Sequence, residues 1–252
     1  MKQLWILFKK DYLDLFRTMK FLVIGIIFII FTIGSPILAY ITPELLNSLD
    51  ANITIVMPEA TMVDSYIQLA GNISQIGALT IIIALGGSIA SERKKGLYNN
   101  LRNNGVKTSN FILSKVLVHI ITVTIIFAIS YAGFAITNYI LFGEAFLDNS
   151  LIAAGAIYAN LIFVICLANL FSAFVKSPMM GIILTIVAVL LLPILNLFNF
   201  AKYLPLYYNH VMSAEIFTDS SIANFAYTNF AITIGICMLM IIASIKFCRS
   251  RN

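Results

Sequence analysis

From Phe21 to Ile41 the chain runs twenty-one residues without a charged side chain. As an α-helix that stretch is about 31 Å long, the thickness of a bilayer's hydrocarbon core. Comparable apolar segments lie near 73–90, 112–142, 151–175, 179–200 and 227–247. In lipid a spanning backbone must satisfy its own hydrogen bonds, so each segment is expected to be helical. The third, with 31 residues, is about 46 Å long as a helix and must protrude or tilt. Only 11% of residues are charged and 60% are hydrophobic, at a mean hydropathy of +0.96. A soluble domain is about 25% charged. The expected fold is an all-α membrane protein of six transmembrane helices. It forms a single transmembrane domain over residues 1–252, without room for a separate catalytic domain.

Charge placement sets the expected orientation. With the N-terminus inside, fifteen of the sixteen basic residues fall on the inner side, and only Lys202 falls outside. Eight of the eleven acids fall outside: Glu44, Asp50, Glu59, Asp64, Glu144, Asp148, Glu215 and Asp219. Basic residues gather on the cytoplasmic side, so a multi-pass protein of the plasma membrane with both termini in the cytoplasm is expected. The net charge of +5 then reflects topology and contact with anionic membrane lipid, and no nucleic-acid partner is expected. The abundance of Ile, Asn and Lys points to a bacterial, low-GC source. The first apolar run is too long for the core of a signal peptide and lacks a small-x-small cleavage site, so it reads as a retained span.

Residues 1–20 are mixed. Trp5, Phe8, Tyr12, Leu15, Phe16 and Met19 recur at three- and four-residue spacing, with Lys9, Lys10, Asp14, Arg17 and Lys20 mainly opposite. Ile6 and Leu13 interrupt the pattern. This suits an amphipathic interfacial helix with Trp5, Phe8, Tyr12 and Phe16 as its aromatic stripe. A charged flank of the first span is the other reading. The outer segments 42–72 and 201–226 mix apolar residues with Pro and Asn, and read either as short re-entrant helices or as solvated loops. Asn52 and Asn72 each open an Asn-x-Ser/Thr triplet, a pattern common by chance. The end of the second span carries Ala84, Gly86, Gly87, Ser88 and Ala90. Such small residues let another helix approach closely, within the chain or in a second subunit. Pro178 suits a first helical turn, and Pro193 is expected to kink or end the fifth helix.

Several chemistries have no support. The chain contains no phosphate-binding G-x-x-x-x-G-K-[ST] loop, no H-E-x-x-H pair and no G-x-S-x-G elbow. No catalytic residue and no metal ligand is assigned. Cys166, Cys237 and Cys248 show no C-x-x-C spacing and read as unpaired thiols. His119, one turn past Lys115, reads as a polar anchor at the membrane interface. The spans otherwise carry neutral polar groups, chiefly Asn138, Asn160, Asn169, Tyr131, Ser130, Thr122 and Thr124. Ion-coupled carriers need titratable ligands at membrane depth. These neutral groups suit interhelical hydrogen bonding, with a pathway lining by Asn138, Asn160 and Asn169 as the other reading.

The most polar stretch is Ser91–Lys115, between the second and third spans, with Arg93, Lys94, Lys95, Arg102, Lys107 and Lys115. Ser91 is placed to cap a short helix with Glu92 in its first turn. Leu97, Tyr98 and Leu101 share an apolar face. Asn103-Asn104-Gly105 signals a turn, and Ser109 or Asn110 is placed to cap the long third helix. The resulting order is span, short cytoplasmic helix, turn and long helix, with 91–111 as the lever by which a soluble partner acts on the bundle.

Glu92, Gly96, Leu101 and Lys115 after the second span, together with the six-span layout and N-terminal helix, resemble the permeases of type-2 ABC exporters. The peptide-toxin export and bacteriocin-immunity branches are the most similar. Leu97 and Asn99 stand where the family often has Thr and a further Glu, and Asn104-Gly105 stands in place of its usual Pro. The resemblance implies a transmembrane subunit that binds no cofactor itself. ATP and Mg would reside in two copies of a separate ATP-binding subunit, and a second permease copy would complete a homodimer or related heterodimer. It implies that Glu92, Arg93, Lys94, Lys95, Gly96, Leu97, Tyr98 and Leu101 form the coupling helix that engages the ATPase. The cargo it implies is an amphipathic membrane-active peptide. Lipid-linked glycan, drug or sodium export, or an ATP-independent carrier, are the alternatives.

Overall fold

The computed structural model describes residues 2–49, 59–198, 217 and 220–250. Every element among them is helical: α1 (Lys2–Arg17), α2 (Lys20–Leu49), α3 (Met62–Asn72), α4 (Ala78–Leu85), α5 (Ser88–Lys94), α6 (Leu97–Asn103), α7 (Thr108–Phe142), α8 (Ser150–Phe174), α9 (Pro178–Leu191) and α10 (Ser220–Ser250). Five stretches are long and apolar enough to cross a membrane: Lys20–Leu46, Met62–Lys94, Thr108–Phe142, Ser150–Phe174 and Ala226–Arg249. The chain is therefore an all-helical, multi-pass membrane protein. The segment expected at 179–200 is shorter, an apolar helix over Pro178–Ile194. Its α-helix stops at Leu191 and continues as a 3₁₀ turn through Leu192–Leu197. Pro193 lacks the N–H that an α-helix would use there, which is the physical reason for the early end.

Several expected boundaries move. The second span was expected at 73–90, but its helix starts at Met62. Thr61 and Asp64 form a capping box, with the Thr61 N–H and hydroxyl donating to Asp64 Oδ2 at 2.8 and 2.7 Å. Buried Met62, Tyr66, Leu69, Ala70 and Ile73 then continue one apolar face inward. At the other end of segment 42–72, α2 runs on to Leu49 with Pro36 and Pro43 inside it. The described part of that segment is therefore helix extension apart from the three non-helical residues 59–61. Asn72 lies in α3 and donates to Ser35 Oγ at 3.0 Å. Asn52, Lys202 and nearly all of 201–219 lie outside the described residues.

The second span is not one uniform helix. A π turn at Ile73–Gly77 separates α3 from α4. There a Cβ on Gly77 would stand 3.3 Å from the Phe28 ring of α2. A second break falls at Gly86-Gly87. A Cβ on Gly87 would come within 3.0 Å of Pro178 at the start of α9, and one on Gly181 within 3.2 Å of the Gly86 carbonyl oxygen. The small residues at this end thus serve close packing within the chain. Long helices α2 and α7 pack together, as do α8 and α10, and α1 lies along α7.

Candidate functional site: a buried charge ring beside the short polar helix

The amphipathic helix α1 turns a different face inward than its aromatic stripe suggests. Leu7, Asp11 and Leu15, spaced four apart, are its buried residues. Trp5 is 68% and Phe16 42% exposed, with Phe8 and Tyr12 half-buried. The aromatic row is nonetheless continuous. Ring centroids lie 5.6 Å apart for Trp5–Phe8, 6.2 Å for Phe8–Tyr12 and 4.9 Å for Tyr12–Phe16, and Phe16 stacks on Phe21 of α2 at 4.5 Å. Such an outward ladder suits a membrane interface. The inward face carries an acid because that acid has partners.

Those partners come from α7 and from the neighbouring Lys10 of α1 itself. Lys115, in the second turn of α7, places Nζ 3.2 Å from Asp11 Oδ1 and 2.9 Å from Glu92 Oε1. Lys10 places its Nζ 2.7 Å from Glu92 Oε1 and 3.0 Å from Asp11 Oδ1. Two ammoniums and two carboxylates thus alternate in a closed ring with no net charge. Ser114 adds a hydroxyl donated to Asp11 Oδ2 at 2.7 Å. The Asp11 and Lys115 side chains are 6% and 5% exposed and Glu92 is 12% exposed, so all but Lys10 are withdrawn from water. Lys115 also lies 5.5 Å from the centre of the Phe111 ring. Withdrawn charges are stable only when closely paired. Burial alone would raise the Asp11 carboxyl. The attraction of Lys115, then of Lys10, and the Ser114 hydroxyl outweigh it and hold the group below the usual carboxylate range. Burial would likewise lower Lys10, but Asp11 and Glu92 outweigh it and raise the ammonium above its ordinary value.

Glu92 and Arg93 belong to α5, which is also tied by two bonds to the end of α8. Arg93 Nη1 donates to the Ala173 carbonyl at the end of α8 at 2.8 Å, and the Ala90 N–H donates to Ser172 Oγ at 3.0 Å. Ser91 does not cap a new helix as expected. It sits inside α5 and its N–H donates to Gly87 O at 2.9 Å. The short helix starts only after Gly96, whose φ of +73° suits a residue without Cβ. It ends at Asn103, and Gly105 at φ +77° completes the expected turn. Helix α7 then begins at Thr108 behind Lys107, not behind Ser109 or Asn110.

The residues assigned to coupling therefore divide. Glu92 and Arg93 hold the bundle together. Gly96 is the corner. Tyr98 is core, its ring 5.0 Å from that of Phe111 and its hydroxyl 2.9 Å from Thr108 Oγ1. Leu97 and Leu101 are half-buried, while Lys94 and Lys95 face outward with Asn99, Asn100 and Arg102. Gln3 ties α1 to the same corner, donating from Nε2 to Gly105 O at 3.4 Å and accepting from Asn110 Nδ2 at 3.2 Å.

Deeper polar groups are neutral. Ser65 donates to Asn138 Oδ1 at 2.9 Å. Asn169 Nδ2 lies 3.3 Å from His119 Nδ1 and donates to Ile165 O at 2.8 Å. His119 is thus buried between α7 and α8, not an interfacial anchor, because Asn169 offers its ring a partner inside the bundle. Asn160 is buried and its Oδ1 has no partner among the described residues. Among the described residues no group of His, Cys, Asp and Glu converges as a metal site, and the three cysteines are buried free thiols.

Lys10, Asp11 and Ser114 are the site residues that sequence reading missed. The available signal was an acid on the same four-residue stripe as Leu7 and Leu15. Neither the protein-family models nor the curated proteins contain a match to this chain.

Proposed function

We propose that this chain is the transmembrane subunit of an ATP-driven exporter, a permease whose short helix α6 receives motion from a separate ATP-binding subunit. The observation that carries the reading is the construction of the hinge. A seven-residue polar helix stands between two long apolar helices, set off by left-handed glycines at each end. It is anchored inward by Tyr98, with Lys94, Lys95, Asn99, Asn100 and Arg102 outward. Around it the charge ring joins α1, α5 and α7. A push on α6 would therefore move three elements together rather than bend a loop.

In this reading the chain crosses the plasma membrane of a bacterium six times with both termini in the cytoplasm. Helix α9 and its 3₁₀ continuation supply the fifth crossing, together about 33 Å long and so long enough for a hydrocarbon core of about 30 Å. Two copies pair above two ATP-binding subunits, which hold ATP and Mg. ATP-driven closure below displaces α6 and shifts the second and third spans so that cargo leaves outward. An apolar cavity of about 440 Å³ between α8 and α10, walled by Tyr158, Ile162, Phe230 and Met238, supports a lipid-soluble or amphipathic cargo. A membrane-active peptide fits that description best.

The test is ATP hydrolysis by the permease reconstituted in liposomes with the P-loop ATPase encoded beside it. Leu101→Asp and Gly96→Val should each lower permease-stimulated hydrolysis by roughly tenfold while the complex still inserts. Unchanged hydrolysis in both variants rejects α6 as the lever. Transport driven by an ion gradient without any ATPase rejects the exporter reading.

A further inference from the structure

The charge ring leaves other cations at the hinge end unpaired. A cavity of about 430 Å³ opens between the end of α6, the start of α7 and the last turns of α10. Its polar lining is Arg102, Lys107, Thr108, Ser109 and Arg249, and no acid lines it among the described residues. Among the described residues, none of the three basic side chains makes an ion pair or a side-chain hydrogen bond. All three are exposed, so they are free to turn toward an incoming ligand. Helix α7 starts at this cavity. Its N-cap, Lys107, offers no side-chain oxygen to the first-turn N–H groups and makes no side-chain cap bond. Two kinds of positive potential thus meet in one concave place: three exposed cations from α6, the residue before α7 and α10, and the start of a 35-residue helix whose N-cap side chain makes no cap bond. Ile245 supplies an apolar wall beside them.

We infer that this cavity binds a phosphate-type oxyanion. Guanidinium groups match the paired oxygens of a phosphate, and the Thr108 and Ser109 hydroxyls add neutral donors. The same chemistry is presented by an anionic phospholipid headgroup and by soluble phosphate. The inference does not need the exporter reading, and its test uses the chain without any ATPase.

The purified full chain is placed in detergent and titrated separately with phosphatidylglycerol, phosphatidylcholine and inorganic phosphate, with retained ligand counted by native mass spectrometry. A variant carrying Arg102→Ala, Lys107→Ala and Arg249→Ala is compared with a charge-matched control carrying Lys9→Ala, Lys94→Ala and Lys95→Ala. Circular dichroism verifies the helicity of both. The expected result is preference for phosphatidylglycerol over phosphatidylcholine, weakened by on the order of tenfold or more in the pocket variant and about twofold or less in the control. Retention of inorganic phosphate with the same variant pattern also supports the site and assigns a soluble source. Retention of neither anion, or equal losses in both variants, overturns it.

Discussion

The hinge end and the middle of the bundle solve the problem of polar groups in an apolar protein in different ways. At the hinge end four charged side chains from α1, α5 and α7 close a ring of contacts no longer than 3.2 Å. In the middle the polar groups are neutral and their pairing is incomplete. Tyr66 and Tyr131 meet at 3.5 Å and Ser65 reaches Asn138, while Asn138 Nδ2, Asn160 Oδ1, Asn169 Oδ1 and the Thr122 and Ser130 hydroxyls have no partner among the described residues. A neutral group left short of one bond costs about 1–3 kcal/mol, whereas a stranded charge costs several. Charges are therefore confined to the end where a neutralising set can be assembled. In the ring one atom is short of a partner, Glu92 Oε2, and the other oxygen of that carboxylate takes two ammoniums.

The most severe way to break this contrast is Lys115→Met. It leaves Asp11 and Glu92 sharing the single cation of Lys10. A loss of about 3–5 kcal/mol in unfolding free energy is expected, measured by denaturation in detergent micelles. Replacing Asp11, Glu92 and Lys115 together with apolar residues of similar size should recover most of that loss. A loss below about 1 kcal/mol for Lys115→Met would show that the ring is no more than a surface pair.

Acid acts on the same ring more gently, because it neutralises rather than strands. The Asp11 carboxyl is lowered in the folded chain, so its contribution is fully present above the unfolded value near 3.8 and is lost as pH falls through the folded value. Lys10 is raised, so its contribution is fully present below 10.5 and fades as pH rises through its folded value. Stability should be flat across neutral pH and fall at both extremes. Asp11→Asn should flatten the acid limb measured by thermal unfolding against pH. An unchanged acid limb would place the responsible carboxylate elsewhere.

The smallest effect belongs to the middle of the bundle. Asn138→Ala removes one interhelical bond from Ser65 and also removes an amide nitrogen that already lacks a partner, so a loss of about 0.6 kcal/mol is expected. A loss as large as that of Lys115→Met would erase the distinction between the two regions.

Much of the local structure was legible in the chain. The apolar segments at 21–41, 112–142, 151–175 and 227–247 became helices because long uncharged runs allow little else in lipid. Pro193 announced the early end of α9, and Asn104-Gly105 the corner before α7. The start of the second span was not legible, because Met62–Asn72 mixes Asp64, Gln68 and Asn72 into a helix whose burial depends on α2 and α7. The aromatic stripe of α1 was legible as a row of rings, but not the direction in which it faces. The corner at Gly96 was displaced because Ser91 is a good cap in isolation, and the helix it sits in was already running.

The sequence by itself determined that this chain is helical and membrane-spanning and that its polar, basic hinge lies between two spans, since hydropathy and charge act over neighbouring residues. Only the tertiary structure decided which charges are spent on holding the hinge and which are left over. Asp11 and Lys115 are 104 residues apart, and Lys10 and Glu92 are 82 apart. No local periodicity links them. Their pairing follows from the packing of α1 and α5 against α7, which excludes water and makes each of these ions depend on the others.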